Sequence, residues 1–462
     1  MKKVNIFLHL CLLIFGVSAF SSCEKEEKLD VDLSQYNIDS PHKSELDNWI
    51  TSTLTDPYNI ELIYRFDRNE TDPERNISPI QLERVKPTVE AILNTFLNVY
   101  QEVAGKEFIK QYTPKQFVLY GSPSYNSNGS ITLGTAEGGR KVVLYELNEL
   151  DFSSASQIRR KMRTIHHEFT HIINQIVAIP PSFEQVTKAD YEADWTNATS
   201  NPESISRSLG FISRYSRSAP GEDFAETVAH LIVEGQLYYD NYAKASGADA
   251  YAKLKRKEAL VVDYFKQYFN IDFRELQQKF AEVVIDKYNE NTAFSLGYWL
   301  RQGSLISAIK IDPLAVYNSK YPLSAEFNAI YESVKTGIAA VGNANRHLDN
   351  IEFQFGENNQ LEVVVTYTNT AATTFVANYS YNYAINDANE ITFTKVDQRG
   401  TTGAYGNASV IAAGFTPLNT YLTSNTFVVD WINEVEPIDF MTLGGFYVKG
   451  NPSNYVFGNV IK

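Results

Sequence analysis

Apolar and polar positions change their period along this 462-residue chain, and each change marks a different kind of element. NIELIYRFD, from Asn59, reads as a strand, while PTVEAILNTFLNVYQEVAGKEF, from Pro87, has helical apolar spacing after a proline start. QFVLY and KVVLYEL, from Gln116 and Lys141, give two more strands around a connection rich in Gly, Ser and Asn. Between residues 240 and 345 the pattern is mainly helical. YAKLKRKEALVVDYFKQYF and DFRELQQKFAEVVIDKY both place apolar residues three and four apart with charges between them. Beyond Asp349 the period becomes two: Ile351, Phe353 and Phe355, a GENN turn, then Leu361, Val363, Val365 and Tyr367 predict a β-hairpin. Phe375, Ala377, Tyr379, Tyr381, Tyr383 and Ile385 continue the alternation. These blocks predict an α+β domain over 46–290, a helical connection over 291–345, and an all-β antiparallel sandwich or small barrel over 346–462.

The two ends of the pattern differ. MKKVNIFLHLCLLIFGVSAFSSC reads as a secretory signal over 1–22: two lysines, a short apolar run, then small residues before Cys23. Cys11 falls inside that signal, so the cleaved chain would keep one thiol and form no internal disulfide. Residues 23–45 are charged and polar, a flexible tether. Loss of Lys2 and Lys3 moves the formal charge from −14 to −16. That balance excludes nucleic acid as a partner, since binding it needs a basic face that displaces counterions.

Candidate chemistry lies in IRRKMRTIHHEFTHIINQ, residues 158–175. Ser154 and Gln157 have capping-box spacing at the helix start. At about 100° per residue, Ile158, Met162, Ile165, Phe169, Ile172 and Ile176 form the core stripe, and His167 and His171 lie on the opposite side. Two histidines one turn apart can present nitrogens to a shared Zn²⁺, and Glu168 between them can hang beside the metal as a base. His166 lies on the flank and reads as a surface or supporting histidine.

A catalytic zinc site needs a third protein ligand and an open position. Asn174 and Val177 stand where a metzincin would carry glycine and histidine, which excludes that subclass. EDFAETVAHLIVEG offers Glu222, Glu226 and His230 on one helical stripe, and KADYEADW adds Asp190 and Asp194.

HHEFTHIIN together with RYSRSAPGEDFAE resembles the lethal-factor-like gluzincins, in which H-E-F-x-H is followed by E-x-F-A-E with a tyrosine seven positions before its first glutamate. That resemblance implies Glu222 as the third zinc ligand, Glu226 as the acid that supports a ligand histidine, and Tyr215 as a phenol that stabilises an oxyanion. Asp223 departs from it, since that family has an aromatic residue there. The cysteine after the signal resembles a bacterial lipobox, with Phe20 in place of the usual leucine, and Cys23 would carry the lipid. Across its length the chain resembles zinc metallohydrolase lipoproteins found with TonB-dependent importers.

The resemblances imply a zincin-like metallopeptidase fold and a monomeric, lipid-anchored outer-membrane enzyme, exposed at the cell surface. It would hydrolyse peptide or protein substrates through a zinc-bound water deprotonated by Glu168. Val142 to Glu146 are expected to form an edge strand that pairs with an extended substrate. Two alternatives stay open: a non-catalytic zinc lipoprotein that captures substrate for an importer, and a hydrolase of another amide or glycan-linked bond. Tyr379, Tyr381 and Tyr383 could meet carbohydrate, although their alternation fits a packed sheet face better.

Overall fold

A computed structural model describes residues 43–70, 75–126, 131–132, 134–137, 140–432 and 436–462. The expected signal, the lipidation site at Cys23 and nearly all of the tether lie outside the described residues. Two compact units divide the chain, Met1–Thr51 and Ser52–Lys462. In the first, Ser44 caps the helix Glu45–Ile50: its hydroxyl accepts from the Asp47 amide at 3.2 Å, and the Asp47 carboxylate accepts from the Ser44 amide at 2.8 Å.

In the second unit, a four-stranded sheet sits beside the helix that carries the histidines. Its strands are β1 (Glu61–Ile63), β2 (Gln116–Leu119), β5 (Gly134–Glu137) and β6 (Lys141–Leu144), in the order β1-β2-β6-β5; a separate pair, β3 (Ser124–Tyr125) and β4 (Ile131–Thr132), lies between β2 and β5 in the chain. β1, β2 and β6 run parallel, and β5 closes one side antiparallel. The VVL of β6 is fully buried, as its uninterrupted apolar run requires for an interior strand. The expected edge strand is therefore corrected: β6 is paired on both sides, and β5 is the edge nearer the histidines.

Helix α1 (Leu82–Ile92) begins upstream of Pro87, which sits inside it instead of starting it. A π-helical turn at Leu93–Leu97 and a further helical run to Ala104 continue it. Helix α2 (Ala155–Ile176) starts at Ser154, whose hydroxyl accepts from the Gln157 amide. The Gln157 side chain accepts from the Asp151 amide at 3.0 Å, three residues further out than the Ser154 amide that a capping box would use. Its apolar stripe is buried apart from Ile176 at the far end. Helices α3 (Pro220–Val233), α4 (Ala248–Phe269) and α5 (Phe273–Tyr288) complete the mainly helical region.

The C-terminal region is a closed eight-stranded barrel in which every pairing is antiparallel. Its strands are β7 (Ala308–Ile311), β8 (His347–Phe355), β9 (Gln360–Thr368), β10 (Thr374–Ile385), β11 (Glu390–Lys395), β12 (Phe427–Trp431), β13 (Leu443–Val448) and β14 (Asn451–Ile461). β7 lies inside the segment expected to be a helical connection. It closes the barrel between β14 and β8, so barrel residues begin well before 346. Helix α6 (Ala325–Ala340) and helix α7 (Ala412–Ser424) pack on the barrel strands, and the backbones meet where a Cβ on Gly337 would lie 2.7 Å from the Gly414 Cα. Helix α6 lies in the segment expected to be helical, while α7, inside the segment expected to be all β, was not expected. Phe353, Phe393 and Phe427, from three strands, each meet Phe446 of a fourth edge to face in the core. Tyr379, Tyr381 and Tyr383 are buried, with Tyr379 stacked on Phe415 at 3.5 Å, so the packed-face reading holds for them.

Candidate metal centre

Helices α2 and α3 cross so that a one-turn repeat on each faces the other. On α2, His167 and His171 are four residues apart; on α3, Glu222 and Glu226 are four apart. Pro220 opens α3 at a position where its missing N–H costs nothing, and Glu222 and Asp223 place negative charge in its first turn.

The contacts between these pairs are close. Glu222 Oε2 lies 3.0 Å from His167 Nε2 and 3.2 Å from His171 Nε2, and the two imidazole nitrogens are 3.0 Å apart. Three donors bonded to one tetrahedral zinc at its usual distances would stand about 3.3 Å from each other. The triangle therefore has the size of one face of such a site, with the chemistry of a His₂Glu donor set. It is the grouping of metal-binding side chains found among the described residues.

Glu226 sits behind this face. Its Oε1 accepts from His167 Nδ1 at 3.0 Å, and its Oε2 accepts from the Ser213 hydroxyl at 2.6 Å. A carboxylate only accepts, so Nδ1 carries a proton, and Nε2, which shares one with Glu222 in the metal-free pocket, is the nitrogen that would give its lone pair to a cation replacing it. His230 does not join the triangle: its Nδ1 donates to the Glu226 backbone carbonyl at 2.9 Å, and its Nε2 faces Arg163. Asp190 and Asp194 also stand apart, Asp190 beside Lys253 and Asp194 accepting from the Asn197 side chain.

Electrostatics follow from this crowding. Burial works against a charged His167, yet the Glu222 and Glu226 carboxylates outweigh it and push the imidazole up to about 10. Both carboxylates are held below their usual range: burial opposes this, and hydrogen bonds to His167 overcome it. Without a metal the pocket satisfies its charge with protons; a cation there replaces them.

Glu168 and Tyr215 line the same cleft, about 370 Å³ in volume, together with Trp195, Thr164 and Gly134. Tyr215, in a 3₁₀ turn at Tyr215–Ser218, stacks on the His167 ring at 5.7 Å and leans on Trp195 at 4.8 Å. Burial and the charge of Glu222 push its phenol pKa up, so it stays a hydrogen-bond donor. Gly134 lets the edge strand approach α2: a Cβ there would stand 2.3 Å from Thr164 Cγ2.

His166 departs from the expected surface position. It is fully buried, its Nε2 donating to the Thr95 carbonyl in the π-helical turn at 3.2 Å, with the Phe96, Tyr100 and Phe280 rings around it. Burial drives its pKa down to about 4, so it is a neutral core residue. Ser213 and Trp195 were missed by sequence reasoning. Nothing marks Ser213, while Trp195 lies in KADYEADW, where attention went to the acids.

A family model described as "Putative zinc-binding metallo-peptidase" matches residues 39–274, just over half of the chain. A crystal structure described as a putative zinc-binding metallo-peptidase from Bacteroides caccae is 28% identical, covering 54% of this chain and 97% of its own, with a TM-score of 0.47. No curated protein matches the chain. Zinc is accordingly the cofactor, and the chain belongs to the family of zinc-binding metallo-peptidases whose model it matches.

Proposed function

We propose that this chain is a gluzincin-type zinc peptidase in which His167, His171 and Glu222 hold the metal. The observation that carries the reading is the donor triangle with Glu226 locked behind His167. When bound, zinc supplies a Lewis acid that polarises water and the scissile carbonyl. Glu168, in the cleft beside His167, takes the proton of the attacking water and returns it to the leaving amine. Tyr215 turns its phenol O–H from Glu222 to the developing oxyanion. The edge strand β5, with no further strand partner among the described residues, offers its backbone to an extended substrate.

The reading extends to placement. Cleavage before Cys23 and lipidation of that thiol would hold the enzyme at the outer membrane, facing outward, beside a TonB-dependent importer that takes up its peptide products. The support is the pattern of residues 1–29; no helix among the described residues is long and apolar enough to cross a membrane.

Digestion of a peptide library by wild type and Glu168→Gln, with metal analysis of both, tests the activity. Cleavage by wild type, lost in Glu168→Gln at equal zinc content, is the expected result. Absence of cleavage by zinc-loaded wild type favours the capture lipoprotein, and cleavage of another amide or a glycan-linked bond instead moves the substrate class.

A further inference from the structure

We infer that the barrel carries a second binding site, a pocket of about 440 Å³ on its outer face that takes a neutral sugar ring of an oligosaccharide. The inference rests on the barrel alone and is independent of the peptidase reading.

Strand register builds the pocket. Asp430 on β12 pairs with Gly445 on β13, and Gly445 with Phe457 on β14; in the neighbouring row Val428 pairs with Tyr447, and Tyr447 with Tyr455. Phe446 and Val456 are buried in the barrel, so alternation puts Tyr447, Tyr455 and Phe457 on the opposite face. Gly445 contributes no side chain, and none would fit, since a Cβ there would lie 2.1 Å from the Val456 carbonyl oxygen. A side-chain gap therefore separates Asp430 from Phe457 across two strand spacings, about 10 Å. That is room for one ring between two walls. Lys320, Tyr321 and Pro322 close a further side, with the Tyr455 hydroxyl donating to the Pro322 carbonyl at 3.1 Å.

The lining decides the ligand class. The Tyr455 and Phe457 rings stack at 5.0 Å and 23°, and with Tyr447 they give half-exposed aromatic faces whose negative charge suits the C–H face of a sugar. The Asp430 carboxylate accepts from the Trp431 amide at 2.8 Å and forms no ion pair among the described residues, so its other lone pairs are left for hydroxyl donors. Lys320, 3.9 Å from Glu436 and half-exposed, puts a positive charge in the same lining. A cationic ligand meets Lys320 and an anionic one meets Asp430. A neutral polyol uses both, donating to the carboxylate and accepting from the ammonium. The volume falls in the ordinary range for small-ligand pockets.

Isothermal titration calorimetry of the full chain with maltotriose, cellotriose, xylotriose and N,N′-diacetylchitobiose tests the assignment. At least one should bind, and Asp430→Ala and Tyr455→Ala should each weaken it at least about tenfold at unchanged melting temperature. Asp430→Asn, which keeps the Trp431 contact, guards against misfolding and should also weaken binding. No heat from any of the four sugars, or binding unchanged in all three variants, overturns the inference. So does Asp430-dependent binding of an arginine-containing polyproline peptide in their place.

Discussion

Glu226 holds His167 from behind: one carboxylate oxygen accepts from Nδ1 at 3.0 Å while the other accepts from Ser213 at 2.6 Å. The imidazole is thereby fixed in tautomer and in rotation, and the serine fixes the carboxylate in turn. Glu226→Ala should lower zinc affinity about 10- to 100-fold, read by chelator competition. Ser213→Ala should move it in the same direction by less. Affinity unchanged in Glu226→Ala would show that the contact does not serve the metal.

Asp223 explains its own departure from the lethal-factor-like pattern. It is fully buried next to Glu222, with Oδ2 2.7 Å from the buried Lys257 ammonium on α4 and accepting from the Tyr191 hydroxyl at 2.9 Å. Lys257 also donates to the Gly210 carbonyl at 2.9 Å and lies 4.1 Å over the Phe211 ring. The pair ties the first turn of α3, and so Glu222, to α4. Asp223→Ala should destabilise the protein by roughly 3–5 kcal/mol, because it strands a buried ammonium. Asp223→Leu combined with Lys257→Met should recover most of that loss in urea unfolding.

Tyr215 touches both His167 and Trp195, and its donor hydroxyl faces the cleft. Tyr215→Phe keeps the stacking and removes one oxyanion donor. Its kcat should fall roughly 10²–10³-fold with zinc content unchanged. A loss of zinc in that variant would assign the phenol to the metal site instead.

His166 is a core residue whose removal should act on stability and leave the metal in place. Its imidazole fills an aromatic pocket and satisfies the Thr95 carbonyl. His166→Ala should cost about 2–5 kcal/mol in denaturant unfolding, while the folded variant should retain its zinc.

The metal centre was the most legible part of the sequence, since H-E-x-x-H and E-x-x-x-E are one-turn repeats that fold as written on helices with clear starts. The fit of Glu222 came from spacing plus resemblance; only the crossing of α2 and α3 turns it into distances. His166 was misplaced because a helical wheel shows its own helix alone. The π-helical turn and the Phe280 ring that bury it come from distant segments. β6 was mistaken for an edge because the antiparallel partner that covers it, GTAE, has too few apolar residues to announce a strand. β7 was hidden for a similar reason: four residues, AIKI, between helices, whose pairing depends on β8 and β14 far along the chain. Helix α7 did carry a signal, Ile411, Phe415, Leu418 and Leu422 at helical spacing, which Pro417 and the surrounding small residues obscured.

The central claim is that His167, His171 and Glu222 together hold one zinc. Zinc per chain, measured by elemental analysis of purified wild type, His167→Ala, His171→Ala and Glu222→Ala after dialysis against a weak chelator, tests it most directly. The structure predicts one zinc in wild type and its loss in each variant, with folding retained by circular dichroism. A full complement of zinc in Glu222→Ala would contradict it.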